Sequence, residues 1–343
     1  MIFFSAICIL FPAIMGGLRQ AGVGVDTMVY GLPHFLRASN ASSFSDFLHS
    51  SHRMSVELGW AAVTYFSTKI FGVVQWNFFF YQLLTLTFTY IALYHYRDRA
   101  PMFFLWLIYL LGTYYTTYNI MRQSIAASII FMGLPHLEAK RYKKFMVYVI
   151  LAGLFHSSSL MAVTYFLIFH MLLTWKPKRT WLKTTILVGM FVMLAVARQL
   201  MLIAVRAVPS VSHLAYNAYD TYSLSRNMGL NIMLFGELFA CLLYYNGMKR
   251  VFAHGEMYKL FTYNLAFQLA YTFTVQAAYI RMFYYFSYIN VLLIATVPFF
   301  IKERTLRNLA FVSVFFVSAI FFCIVTYVKS SAGTWPYVSV LDL

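Results

Sequence analysis

Two residues with chemistry to offer stand inside apolar sequence. Arg122 lies in Tyr118-Asn119-Ile120-Met121-Arg122-Gln123-Ser124, and His156 lies in Leu154-Phe155-His156-Ser157-Ser158-Ser159. Neither belongs to a basic cluster at the edge of an apolar run. A charge at membrane depth is costly, so it usually faces a cavity or a partner. The planar arginine fork stays protonated and gives paired hydrogen bonds to phosphate oxygens. Histidine can accept a proton near neutral pH, here from a sugar hydroxyl, or it can hold that hydroxyl or a phosphate by hydrogen bonding alone. Together the two suggest a pocket for an anionic headgroup. Several arginines at such a face would suit a lipid pyrophosphate and could replace a divalent metal in stabilising its departure.

Carboxylates are too scarce for a metal site. Asp26, Asp46, Glu57, Asp220 and Asp342 are the acids expected on the same side as Arg122, and no two are close in sequence. Glu237 is expected deeper, as a partner of a basic group or as a packing residue. No metal and no cofactor is expected. The plainer readings are a snorkelling anchor for each arginine and a helix-end histidine capped by Ser157 to Ser159. His34, His49, His52 and His213 fall in loops, and His95, His136, His170 and His254 near the other face.

The elements that must position these groups are membrane spans. Of 343 residues, 62% are hydrophobic and 10% charged, against roughly 25% charged in soluble domains. The mean hydropathy is +0.70. The chain therefore reads as an all-α, polytopic transmembrane helix bundle forming one integral membrane domain over 1–343. Its formal charge of +16 is divided among short clusters, which is a topology signal rather than a nucleic-acid footprint. Cys8, Cys241 and Cys323 are far apart in apolar segments, without disulfide or zinc spacing. The run from Met1 to Gly17 lacks a basic start and a cleavage site and reads as a retained span.

Five clusters hold 16 of the 26 Lys and Arg. They are Arg97 and Arg99; Lys140, Arg141, Lys143 and Lys144; Lys176, Lys178, Arg179 and Lys183; Lys249, Arg250 and Lys259; and Lys302, Arg304 and Arg307. The positive-inside rule puts all five in the cytoplasm, with an even number of crossings between successive clusters. The paired segments are 102–118 and 122–137, 144–156 and 158–173, 184–203 and 229–247, and 260–280 and 283–300, followed by 308–327. Parity then gathers Arg122, His156, Arg206, Arg226 and Arg281 at the outer face, with Arg198 just below it. Near the amino terminus, 58–71 reads as an interfacial or re-entrant helix, because 75–94 must end at the Arg97 cluster; an outside amino terminus with both runs crossing is the alternative. The total is about eleven spans, with outer loops at about 19–56 and 204–228.

The ordered motifs resemble a known family, the EpsG-type branch of bacterial polysaccharide polymerases, related to the Wzy O-antigen polymerases. The stretch from Gly17 to Tyr30, with Arg19, Gly24, Asp26 and Tyr30, resembles its Arg, Gly-x-Asp, Tyr signature, although Val25 stands where a polar residue is usual. Glu57-Leu58-Gly59 resembles its Glu and Gly element. Arg122-Gln123-Ser124-Ile125-Ala126 is similar to its Arg-Gln-x-x-Ala segment, and Phe155-His156-Ser157-Ser158 to its Phe-His-x-Ser element. Arg281 ahead of Tyr284 and Tyr285, and Pro336-Tyr337, also fit.

The resemblance implies a GT-C-like, metal-independent glycosyltransferase of the bacterial inner membrane, its site facing the periplasm or cell exterior. A growing glycan would pass from undecaprenyl pyrophosphate to a sugar hydroxyl of a lipid-linked repeat unit, with inversion expected. The product would be O-antigen, capsule or exopolysaccharide. Arg122 and Arg281 would grip the donor pyrophosphate, and Arg19, Arg206 and Arg226 would help hold donor or acceptor. His156 is the base or orienter. Asp26 and Glu57 position hydroxyls or orient an arginine, or one of them is the base. Tyr30, Gln123 and Tyr337 complete the expected substrate contacts. A chain-length regulator and a flippase are implied neighbours. An O-antigen-type ligase, a membrane O-acyltransferase, a lipid-linked oligosaccharide flippase and a purely structural partner remain as alternatives.

Overall fold

The computed structural model describes residues 2–50, 56–179, 181–186, 188–189, 236, 239–262, 264–265, 280–329 and 333–342. Those residues are overwhelmingly helical, and no sheet occurs among them. A single antiparallel bridge joins Arg19 to Ser339.

The chain opens with α1, Ile2–Leu18. A π-helical turn at Thr27–Gly31 leads into α2, Leu32–Asn40, and α3, Phe44–Ser50. Then come α4, Leu58–Phe71, and α5, Val74–His95, joined at Gly72. Next come α6, Met102–Gly112, α7, Met121–Glu138, α8, Tyr142–Gly153, and α9, Ser158–Thr174, with α8 packed against both α7 and α9. Further on lie α10, Tyr245–Val251, α11, Ile280–Phe300, and α12, Arg304–Cys323, which a π-helical turn extends to Val328.

Helix α1 runs antiparallel to α5. Ser5 Oγ lies 2.8 Å from Tyr90 OH near one end, while Gly16 and Gly17 press on Gln82 and Phe79 toward the other. Helix α4 behaves differently. Trp60 stacks on Tyr81 at 3.7 Å between ring centroids, and Ser67 and Thr68 bond Asn77. Chain position along α4 thus climbs back toward the start of α5. Its first residues lie deeper in the bundle and its last residues lie at the rim. Neither end of α4 reaches the end of the bundle where α5 stops.

That far end collects the basic clusters. The Arg99 guanidinium pairs with Glu138, tying the turn that follows α5 to the last turn of α7. Lys183 Nζ donates to the Leu173 carbonyl at 2.8 Å, at the end of α9. Arg250 donates to the Phe299 and Phe300 carbonyls at 3.2 and 3.3 Å, at the end of α11. Lys140 and Arg141 lie in the α7–α8 turn with Lys143 and Lys144 in the first turn of α8, and Lys302 lies in the α11–α12 turn with Arg304 and Arg307 at the start of α12. All five clusters therefore sit at one end, here called the basic end.

Helix lengths differ from a uniform bundle of long spans. Among the described residues one helix, Arg304–Val328 with 25 residues, is long and apolar enough to cross a membrane; Phe3–Leu18, Met102–Gly112 and Ser287–Phe300 are shorter apolar helices. Helix α5 has 22 residues but is interrupted by Gln75, Asn77, Gln82, Thr85, Thr87 and Thr89. The expected segment 102–118 is split. Helix α6 stops at Gly112 and a 3-10 turn follows at Tyr114–Tyr118. Hydroxyls explain the tightening: Thr117 Oγ1 donates back to the Tyr114 carbonyl at 2.6 Å, the local competition that Thr brings to a helix.

Candidate active site

At the end opposite the basic clusters, three elements distant in sequence bring Glu57, Arg122 and His156 together. Glu57 immediately precedes α4, with extended backbone and no side-chain bond capping the helix. The first turn of a helix leaves N–H groups without intrahelical acceptors. Here Gly59 N and Trp60 N both donate to the Leu154 carbonyl, at 2.7 and 3.4 Å. The start of α4 is thereby docked on the turn between α8 and α9, next to His156. Gly59 is required there: a Cβ would lie 2.9 Å from the Leu154 oxygen and 3.1 Å from the Phe155 ring.

The freed Glu57 side chain spans the gap. Its Oε2 accepts from Arg122 Nη1 at 2.9 Å. Its Oε1 accepts from Ser157 N at 3.2 Å, at the start of α9. A carboxylate is favoured at a helix N-terminus because the orphan N–H groups leave partial positive charge there. His156 Nδ1 lies 3.7 Å from the same Oε1 and 3.3 Å from Ser158 N. The first neighbour suits a protonated Nδ1 and the second a bare one. The tautomer decides whether Nε2 can take a proton or can only donate one.

Arg122 is the second residue of α7, shortly after the 3-10 turn, and its side chain meets the start of α4. Its guanidinium lies 4.5 Å from the Tyr30 ring centroid, a cation–π contact. The side chains of Glu57, Arg122 and His156 remain 15%, 17% and 21% exposed. The cluster is therefore lined by protein but open, as a site for an arriving ligand requires.

Other expected residues are placed variously. Asp26 opens the π-helical turn that carries Tyr30. Its N–H donates to Asn119 Oδ1 at 3.1 Å, and its carboxylate is within electrostatic range of Tyr284. Gln123 is buried beside Arg122. Arg19 is fully buried between the Phe78 and Tyr118 rings, 4.7 and 4.5 Å from its guanidinium carbon. It donates to the Gly16 carbonyl at 3.0 Å and to Met121 Sδ at 3.1 Å. Burial lowers its pKa to about 10, so it stays cationic at neutral pH. Its guanidinium thus braces the residue preceding Arg122 and does not open on the cluster. Tyr337 OH donates to the Met15 carbonyl at 2.6 Å. Arg281 lies in the first turn of α11, but its side chain lies outside the described residues. So do Arg206, Arg226, Arg198, Asp220 and Glu237.

Sequence reasoning missed His34 and Arg37. His34, expected in a loop, is buried, and its Nδ1 accepts from Trp60 Nε1 at 3.0 Å. Burial, then the nearby charges of Arg37 and Arg122, push its pKa down to about 3. Arg37 is thus a cation that, like Arg122, acts on His34, and no motif marked it. Tyr285, whose hydroxyl lies 3.0 Å from Ser158 Oγ, ties α11 to the same turn.

Among the described residues, a helical fold with one apolar helix long enough to cross a membrane carries an open Arg–Glu–His cluster at one end. The model of the EpsG family matches residues 2–339, so the chain belongs to the EpsG family. Membership suggests a polysaccharide-related membrane enzyme of transferase type. No curated protein and no solved structure gives a significant match.

Proposed function

We propose that this protein is a polysaccharide polymerase of the bacterial cytoplasmic membrane, acting at the face away from the cytosol. It moves a growing glycan from undecaprenyl pyrophosphate to a sugar hydroxyl of a lipid-linked repeat unit. The observation that carries this reading is the convergence of Arg122, Glu57 and His156 at one open cluster, opposite all five basic clusters. With those clusters in the cytosol, the cluster faces outward and α4 enters and leaves by the outer side. An arrangement of about eleven passes remains the proposed topology.

The transfer needs three things that the cluster supplies. A pyrophosphate leaving group needs positive charge that is already in place, since preorganised groups cost no reorganisation as charge develops. Arg122 gives Nη1 to Glu57 and keeps its other N–H groups for phosphate oxygens. The acceptor hydroxyl needs a proton acceptor. With Nδ1–H turned to Glu57, Nε2 of His156 takes that proton as the hydroxyl oxygen bonds to the anomeric carbon. The bond from that carbon to the pyrophosphate oxygen breaks, and its electron pair leaves with undecaprenyl pyrophosphate. Glu57 then balances the imidazolium it faces. Displacement in one step inverts the anomeric centre.

The test is polymer length in cells supplied with the repeat unit. Arg122→Ala and His156→Ala are expected to abolish long-chain product while the protein stays in the membrane. Normal ladders in both variants would remove the site. With labelled substrate, repeat-unit ladders fit a polymerase, whereas a single transfer, an added acyl mass or transport of unpolymerised unit would replace it by a ligase, an acyltransferase or a flippase.

A further inference from the structure

The proposed transfer leaves one charged cavity unused. It lies at the basic end, has a volume of about 420 Å³, and is lined in part by Tyr245, Asn246, Arg250 and Lys302. Arg250 is held at its rim by the bonds to the last carbonyls of α11. Lys302 follows two residues later, where α11 turns into α12.

Neighbouring acids do not neutralise this pair. Glu303, next to Lys302, is used up as the cap of α12, accepting from Thr305 N at 2.7 Å and Leu306 N at 2.6 Å. Glu256 pairs with Lys259 at 2.6 Å, and Glu138 with Arg99. Among the described residues neither Arg250 nor Lys302 has a carboxylate partner within an ion-pair distance. Beside the two cations, Leu242 and Leu243 line the same cavity and are 55% and 61% exposed. A hydrated anion alone would not need those leucines, and an apolar ligand would not need the cations. An amphiphile with an anionic head satisfies both.

We propose that this cavity binds the headgroup of an anionic phospholipid from the leaflet at the basic end, with Arg250 and Lys302 on the phosphate and an acyl chain along Leu242 and Leu243. Basic pockets between helices on the positively charged side are suited to such headgroups. About 15 residues of α11 separate Tyr285, which meets Ser158 beside the transfer cluster, from Phe300, which lines this cavity, and the site does not depend on the polymerase reading.

The test uses the purified full chain in detergent, given equal amounts of phosphatidylglycerol and phosphatidylcholine with the same acyl chains. Bound lipid is counted by native mass spectrometry. Phosphatidylglycerol should be retained in preference. Lys302→Gln should weaken that retention by about fivefold, the effect of one cation near an anionic lipid surface, and Lys302→Arg should restore it. Lys178→Gln, at the same end but outside the cavity, should leave it unchanged. Equal retention of the two lipids would overturn the proposal. So would an equal loss in Lys178→Gln, which would mark diffuse attraction, or full displacement by inorganic phosphate, which would make free phosphate the ligand.

Discussion

Glu57 is the residue on which the cluster turns. It contacts Arg122, Ser157 N–H and the His156 ring at once. Glu57→Gln keeps the shape and one acceptor but cannot balance an imidazolium. Polymer formation in that variant should fall by about 10²-fold or more, the usual weight of positioned acid–base help, with normal amounts of protein in the membrane. Retained activity would reduce Glu57 to a brace. His34 offers a separate test at this scale. Its Nδ1 must stay bare to accept from Trp60, and its pKa of about 3 in the fold lies below the unfolded value near 6.5. Above about pH 6.5 both states are neutral and the group adds no pH dependence. As pH falls below that, the unfolded chain takes up a proton that the native state refuses, so stability declines until about pH 3. At pH 5 the loss should be at most about 2 kcal/mol. Thermal unfolding at pH 7 and pH 5 should show a smaller acid shift in His34→Leu than in the parent protein, whatever the variant's absolute stability.

At the scale of elements, the docking of α4 on the α8–α9 turn decides the geometry. The orphan N–H groups of Gly59 and Trp60 find their acceptor in Leu154, and a polar seam of Thr64, Ser67, Thr68, Asn77 and Tyr81 holds α4 against α5. Gly59→Ala would place a methyl group 2.9 Å from the Leu154 oxygen. The helix must then back away, at a cost of about 1–3 kcal/mol for overpacking. Glu57 moves with it. Polymer output should fall further than the change in melting temperature explains, and an unaffected ladder would show that the docking is not what aligns the cluster. The Glu57 and Gly59 motif was legible in sequence as two residues. Its meaning was not, because a helix N-terminus satisfied by a carbonyl 95 residues away leaves no local signature.

Across the whole molecule, charge and polarity separate along the bundle. One end carries five basic clusters and the other carries Arg122, Glu57 and His156. The carboxy-terminal segment joins the second end: Gly24 N donates to the Gly333 carbonyl at 2.7 Å and Gln20 N to the Val338 carbonyl at 2.9 Å. Single cysteines placed by Ser42→Cys and Lys178→Cys, in a chain from which Cys8, Cys241 and Cys323 have been replaced, report the orientation. A membrane-impermeant maleimide added to intact spheroplasts should label the first and not the second. The reverse pattern would turn the site toward the cytosol and end the proposed reaction with external lipid-linked glycans.

Composition and charge spacing alone determined the all-helical class, the separation of basic clusters from the Arg122 and His156 regions, and the short hairpins between them. These follow from apolar content and from the order of charges, which are properties of the chain as written. Sequence also singled out Arg122 and His156 against their apolar background, and Glu57 through its resemblance to a family motif. Only tertiary structure decided that one carboxylate joins the other two, that Arg19 is stacked between Phe78 and Tyr118 behind Met121, and that His34 is a buried neutral partner of Trp60. The direction in which a side chain leaves a helix end depends on which carbonyl or ring the packed neighbour presents. That neighbour is fixed by contacts between residues far apart in the chain, and no local pattern encodes them.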